Sequence, residues 1–153
     1  MFGLQIKYLS FFFGISSILS FFNIIYSYYF NLYLNLDTYY YTLLFSFLIF
    51  LIFYKFGIEN KKSNIFEKIL TIFLGYLFIP LILSIPFYLS IYNLTFLNSY
   101  FESISGFTST GFTIFNNIKL IDESLILWRS SIQWLGGLYF LFSIIYLIDI
   151  YDE

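Results

Sequence analysis

The sequence predicts an all-α membrane protein with four transmembrane helices and one re-entrant pore helix and filter loop between helices three and four. Three observations lead there. The chain of 153 residues is 60% hydrophobic and only 10% charged, where an average soluble domain is about 25% charged. Four runs have the length and apolar character that a bilayer span needs, about 20 residues. Between the third and fourth lies SGFTSTGFT, residues 105–113, a stretch of glycines and hydroxyl residues in a chain otherwise rich in Phe, Leu, Ile and Tyr. The mean hydropathy of +0.84 agrees. A water-soluble fold of this size cannot hide so much apolar surface.

Each span can be bounded by its charges and breakers. Residues 8–30 carry no charge. They are too many for the apolar core of a secretory signal, about 7–15 residues, so a retained first helix is expected. Residues 38–54 form the second span, between Asp37 and Lys55. The uncharged stretch 69–101 is too long for one helix. It contains Pro80 and Pro86, and the polar residues 90–93 mark an end, so the third span is placed at 66–89. The fourth runs over 124–148, uncharged after Arg129. Residues 1–62 then read as an N-terminal helix pair and 63–153 as a helix–pore loop–helix repeat.

The lysines orient this arrangement. Lys7 precedes the first span, and Lys55, Lys61, Lys62 and Lys68 crowd between the second and third. Positive residues favour the cytoplasmic side. Both termini are therefore expected in the cytoplasm, in the inner (plasma) membrane, with the segment around residues 90–123 outside. Tyrosines at 26–29 and 39–41 flank the first outer turn, where amphipathic rings suit the interface. Asn93-Leu-Thr95 matches a glycosylation sequon on the same side.

Composition also excludes chemistries. Cysteine and histidine are absent, which removes disulfides, thiolate nucleophiles, imidazole acid–base work and the commonest metal ligands. A net charge of −2 offers no basic patch for nucleic acid. Neither an enzyme nor a cofactor is expected.

The segment NSYFESISGFTSTGFT, residues 98–113, has two halves. In the first, Ser99 is expected as an N-cap with Glu102 completing a capping box. Phe101, Ile104 and Phe107 share a face, and Gly106 is expected to stop the helix after about two turns. In the second half, Ser and Thr compete with helical hydrogen bonding and Gly111 frees the backbone. Non-helical backbone at membrane depth is tolerated where protein buries it or where it lines a watery cavity. A short helix followed by an extended Thr/Ser/Gly stretch can present carbonyls to a cation, with the negative end of the helix dipole nearby. Such runs are also ordinary in extracellular loops, and spacing alone leaves both readings open.

Residues 101–137, FESISGFTSTGFTIFNNIKLIDESLILWRSSIQWLGG, resemble the first pore repeat of the Trk/Ktr/HKT superfamily of potassium transporters, in its bacterial TrkH-like branch. The first phrase is Phe101, Glu102, Ser105, Gly106, Phe107, Thr108, Ser109, Thr110 and Gly111. The second is Trp128, Arg129, Ser130, Gln133, Trp134, Gly136 and Gly137. Residues 75–89 also resemble the helix before that family's pore loop, whereas the first two spans match only by topology. The resemblance implies a potassium filter in which the backbone carbonyls of Thr108, Ser109, Thr110 and Gly111 bind K⁺, the transported substrate. It implies pore-loop support from Glu102, Gly106, Arg129 and Gln133. It also implies four such repeats around one axis and a cytosolic nucleotide-binding regulatory partner. Ser109 replaces a threonine of the family pattern, and Phe112 stands where a small residue is common.

The sequence holds one repeat. Other pore repeats are expected from another chain or from copies of this one, all set in the lipid bilayer. The ending at 149–153 falls where a cytoplasmic loop would begin, as in a chain cut between repeats. Rival readings are a non-conducting accessory or decayed fragment, and a self-sufficient homotetrameric channel. Arg129 is expected either to pair with Glu102 or to snorkel at the interface. Gln133 is expected to hydrogen-bond the loop or a neighbouring helix, and Gly136 and Gly137 to permit close helix approach.

Overall fold

The computed structural model describes residues 6–57 and 64–148. Lys61, Lys62, the boundary between residues 62 and 63, and the expected cytoplasmic tail at 149–153 lie outside the described residues. All regular structure among the described residues is helical: α1 (Ile6–Tyr29), α2 (Leu36–Phe56), α3 (Ile65–Leu83), α4 (Ile85–Tyr88), α5 (Phe96–Phe107) and α6 (Glu123–Ile148), with a single 3-10 turn at Ile118–Leu120. Four stretches are long and apolar enough to cross a membrane, Ile6–Tyr29, Leu36–Phe56, Ile65–Tyr88 and Glu123–Ile148. The expected spans agree with these within two residues at each end.

The third stretch is broken at Ser84, between α3 and α4. Its prolines explain the break. Pro80 lies inside α3 without an N–H to donate. Pro86 lies in the first turn of α4, where a missing N–H is harmless. Side chains from later elements bond to carbonyls around this break. Ser103 Oγ donates to the Pro80 carbonyl at 2.8 Å, and Trp128 Nε1 donates to the Leu83 carbonyl at 3.1 Å. The break is thus where α5 and α6 attach to the third stretch.

On α6 the buried residues Leu125, Trp128, Ile132, Leu135 and Tyr139 recur at spacings of three and four, one helical face. Tyr139 joins four helices. Its ring lies 4.6 Å from Phe12, 4.9 Å from Tyr76 and 5.4 Å from Phe107, centroid to centroid. Its hydroxyl donates to the Ile72 carbonyl at 2.9 Å. Gly75 makes room, since a Cβ there would overlap the Tyr139 hydroxyl. Lipid removes the hydrophobic drive between helices, so packing and interhelical hydrogen bonds must hold them. Tyr139 supplies both.

Lys7 packs against Gly57, just past Lys55. Lys68 Nζ lies 5.1 Å from the Tyr146 ring, which stacks on Tyr8 at 4.7 Å. Lys7, Lys55 and Lys68 therefore gather at one end, as an even number of crossings between them requires. At the other end Tyr28 and Tyr40 form an exposed hydroxyl pair at 2.9 Å. Tyr39 departs from the interfacial role expected for residues 39–41: it is fully buried, with its hydroxyl 2.9 Å from Ser124 Oγ. The contact ties the first turn of α2 to the first turn of α6.

Candidate functional site

The site is built on α5 and the loop after it. Thr95, not Ser99, is the N-cap of α5: its Oγ1 accepts the Asn98 N–H at 3.3 Å. The helix begins four residues earlier than the capping-box pattern suggested. Ser99 lies within it, donating to the Thr95 carbonyl at 3.0 Å. Thr95 also belongs to the Asn93 sequon, so its hydroxyl oxygen is engaged as a cap. Gly106 does not stop α5, which continues to Phe107 and is capped by Thr108. Gly106 instead serves close approach, because a Cβ there would lie 3.1 Å from Ile132 Cγ2 on α6.

Glu102 is freed from the helix terminus for another task. It is completely buried and accepts hydrogen bonds from three donors. Arg129 Nε donates to Oε1 at 2.5 Å. Thr113 Oγ1 lies 3.0 Å and 3.1 Å from the two carboxylate oxygens. The Ile114 N–H donates to Oε2 at 3.0 Å. Of the two roles expected for Arg129, pairing with Glu102 is the one observed, and its Nη2 also donates to the Phe112 carbonyl at 3.1 Å.

The near side of the loop has its own fastening. Ser105 Oγ donates to the Phe112 carbonyl at 2.6 Å and lies 3.1 Å from Thr110 Oγ1. The Thr108, Ser109 and Thr110 N–H groups donate back to the Ile104, Gly106 and Ser105 carbonyls. Ser109 and Gly111 adopt positive φ, 55° and 80°. The left-handed conformation explains glycine at 111. Between the two fastenings Thr108, Ser109, Thr110 and Gly111 are exposed. No donor among the described residues hydrogen-bonds to their four backbone carbonyls.

The end of α5 meets α6 at its midpoint. A Cβ at Gly136 would overlap the Phe107 carbonyl. Gly137 has open space around it, beside a cavity of about 380 Å³ walled by Tyr76, Thr108, Ser109 and Phe140. Gln133 lies on the exposed face of α6 and makes no side-chain hydrogen bond among the described residues. The structure therefore brings together Glu102, Gly106, Arg129 and the 108–111 loop, and leaves Gln133 apart. Sequence reasoning missed Thr113, the Ile114 N–H and the Phe112 carbonyl. Only proximity to the motif pointed to them, because backbone partners carry no side-chain signature.

No family model and no solved structure matches the chain. Curated relatives do. An uncharacterized cation transporter of Methanocaldococcus jannaschii is 33% identical over 79 residues, 52% of this chain and 17% of that protein. The Trk system potassium uptake protein TrkI of Halomonas elongata is 44% identical over 55 residues, 36% of this chain and 11% of its own length. TrkG of Escherichia coli is 37% identical over 46 residues, 30% of this chain and 10% of its own length. The matched stretches are thus less than a fifth of each of these relatives. The apolar helices and these similarities together identify a multi-pass membrane protein that is a partial relative of the Trk potassium uptake proteins.

Proposed function

We propose that this chain contributes one cation-selective loop to a Trk-type potassium transport pore in the plasma membrane. In this reading α5 is a re-entrant pore helix and Thr108, Ser109, Thr110 and Gly111 are the filter. Potassium passes along their backbone carbonyls, down its electrochemical gradient, without covalent chemistry. The observation that carries the reading is the run of four carbonyls without a hydrogen-bond partner among the described residues, held between the Ser105 and Glu102–Arg129 fastenings. Exposed carbonyls fixed in place can replace a cation's hydration shell. The carbonyl end of α5 adds negative potential at the same point.

A filter of this kind needs carbonyls from about four sides. One side comes from this loop. The others come from further pore repeats, on another chain or on copies of this one. The lysine-rich end faces the cytoplasm, where a nucleotide-binding regulatory subunit is the expected partner. Potassium uptake in cells lacking their own uptake systems tests the assignment. The chain is supplied alone and together with the remaining repeats of a Trk-type protein. Growth on low potassium in either condition, lost on Gly111→Ala, is the expected result. No rescue in both conditions sinks the reading.

A further inference from the structure

A buried polar cluster lies at the outer end of the helices, outside the candidate filter. Asn35, in the turn between α1 and α2, is 1% exposed. Its Nδ2 donates to Asp122 Oδ2 at 2.9 Å, and its Oδ1 accepts the Ile91 N–H at 3.2 Å. Asp122 directly precedes α6. Its N–H donates to Tyr92 Oη at 2.7 Å, and its carbonyl accepts from the Leu125 and Ile126 N–H groups. Ser124 Oγ donates to Asp122 Oδ2 at 2.5 Å and lies 2.9 Å from Tyr39 Oη. Asn23 Nδ2 on α1 donates to the Ser124 carbonyl at 3.2 Å. The first turn of α6 is thus bonded to α1, α2, their connecting turn and the 91–92 turn.

We infer that Asn35 and Asp122 are positioning residues that set the axial register of α6 and, through it, the reach of Arg129 to the loop. The inference deepens the proposed filter, because Arg129 is the residue that fastens its far side. Arg129 lies seven residues after Asp122, about 10 Å along a helix at 1.5 Å per residue. A rigid helix transmits a shift at its first turn to that point. Arg129 holds two partners at once, Glu102 Oε1 and the Phe112 carbonyl. Hydrogen bonds weaken steeply when geometry is lost, so a small displacement of α6 frees the loop. The N-terminal helix pair is then a bracket for the filter rather than a separate module.

The donor pattern permits a specific test. Asn35→Asp sets two carboxylates against each other. Asn35→Asp combined with Asp122→Asn restores every bond with roles reversed. The amide nitrogen at 122 donates one N–H to the carboxylate at 35, which still accepts from Ile91, and its other N–H to Ser124 Oγ, which then donates to Tyr39 Oη. Exchange of the Ile114 N–H, bonded to Glu102, reports the loop independently of transport. In the detergent-solubilised chain, Asn35→Asp is expected to speed that exchange about tenfold, the scale of one lost net hydrogen bond. The double variant is expected to return it to the wild-type rate, with exchange in α3 unchanged throughout. An unchanged Ile114 rate in Asn35→Asp, or no recovery in the double variant, overturns the inference. Tyr92→Phe, which removes one bond to Asp122, is the milder variant if Asn35→Asp does not fold. It is expected to speed exchange about threefold, and a wild-type rate in that case overturns the inference equally. Loss of potassium uptake in the wild-type chain would count against the filter and leave these rates untouched.

Discussion

Arg129 Nε donates to Glu102 Oε1 across 2.5 Å, and the glutamate side chain it meets is completely buried while the arginine side chain is 20% exposed. The pair is asymmetric. Glu102 also accepts from Thr113 and Ile114, whereas Arg129 also donates to Phe112. The charges thus tie three segments together: the middle of α5, the loop and the second turn of α6. In a membrane such a pair requires full hydrogen bonding, because an unpaired buried charge is expensive.

The asymmetry predicts that exchanging the two residues will not rescue the site. An arginine at 102 cannot accept the Ile114 N–H or the Thr113 hydroxyl. Glu102→Ala should lower stability by about 3 kcal/mol, the cost of leaving one partner of a largely buried pair alone. Glu102→Gln keeps one acceptor oxygen and should cost less. The Glu102→Arg/Arg129→Glu double variant should be no more stable than either single change. Thermal unfolding in detergent, followed by size-exclusion chromatography, checks the ranking. A double variant that recovers wild-type stability would show that the charges alone matter.

Gly111 makes a different prediction. Its φ of 80° costs a residue with a Cβ about 1–2 kcal/mol, yet nothing lies within 4 Å of the Cβ position. Gly111→Ala should therefore leave the chain folded, with a modest loss of stability, while it turns adjacent carbonyls away. The measurement is potassium uptake relative to sodium uptake, alongside the amount of protein in the membrane. Uptake lost at unchanged abundance is expected. Unaltered uptake and selectivity would mean that the 108–111 carbonyls do not contact the ion.

Much of the fold could be read from charge and length. Lys7 and Lys55 bracket the first two spans, whereas the third, expected as one continuous helix over 66–89, is broken at Ser84 between Pro80 and Pro86. Local capping was less legible. Ser99 and Glu102 fit a capping box at the right spacing, but tertiary bonds to Arg129 and Ile114 outweighed that local use of the carboxylate. The helix instead starts at an earlier cap, Thr95. The same competition explains Gly106. It looks like a terminator, yet its place against Ile132 keeps it helical. Tyr39 looked interfacial because its partner Ser124 lies 85 residues away. Contacts of that range leave no local pattern.

The adjacent glycines of α6 should separate packing inside the chain from packing against partners. Gly136 faces the Phe107 carbonyl, where a Cβ would overlap backbone. Gly136→Ala must push the end of α5 off α6, and the loop with it. A loss of about 1–3 kcal/mol, the usual range for overpacking, is expected, with uptake abolished. Gly137 has nothing within 4 Å. Alanine there should stabilise the isolated helix by up to about 1 kcal/mol through its higher helix propensity. If further pore repeats close around the loop, the space at Gly137 and the cavity beside Thr108 and Ser109 are where their side chains would enter. Gly137→Ala should then leave the purified chain as stable as wild type or more so, and still reduce potassium uptake when the other repeats are present. Full uptake in that variant would place the neighbouring repeats elsewhere on the surface, away from this face of α6.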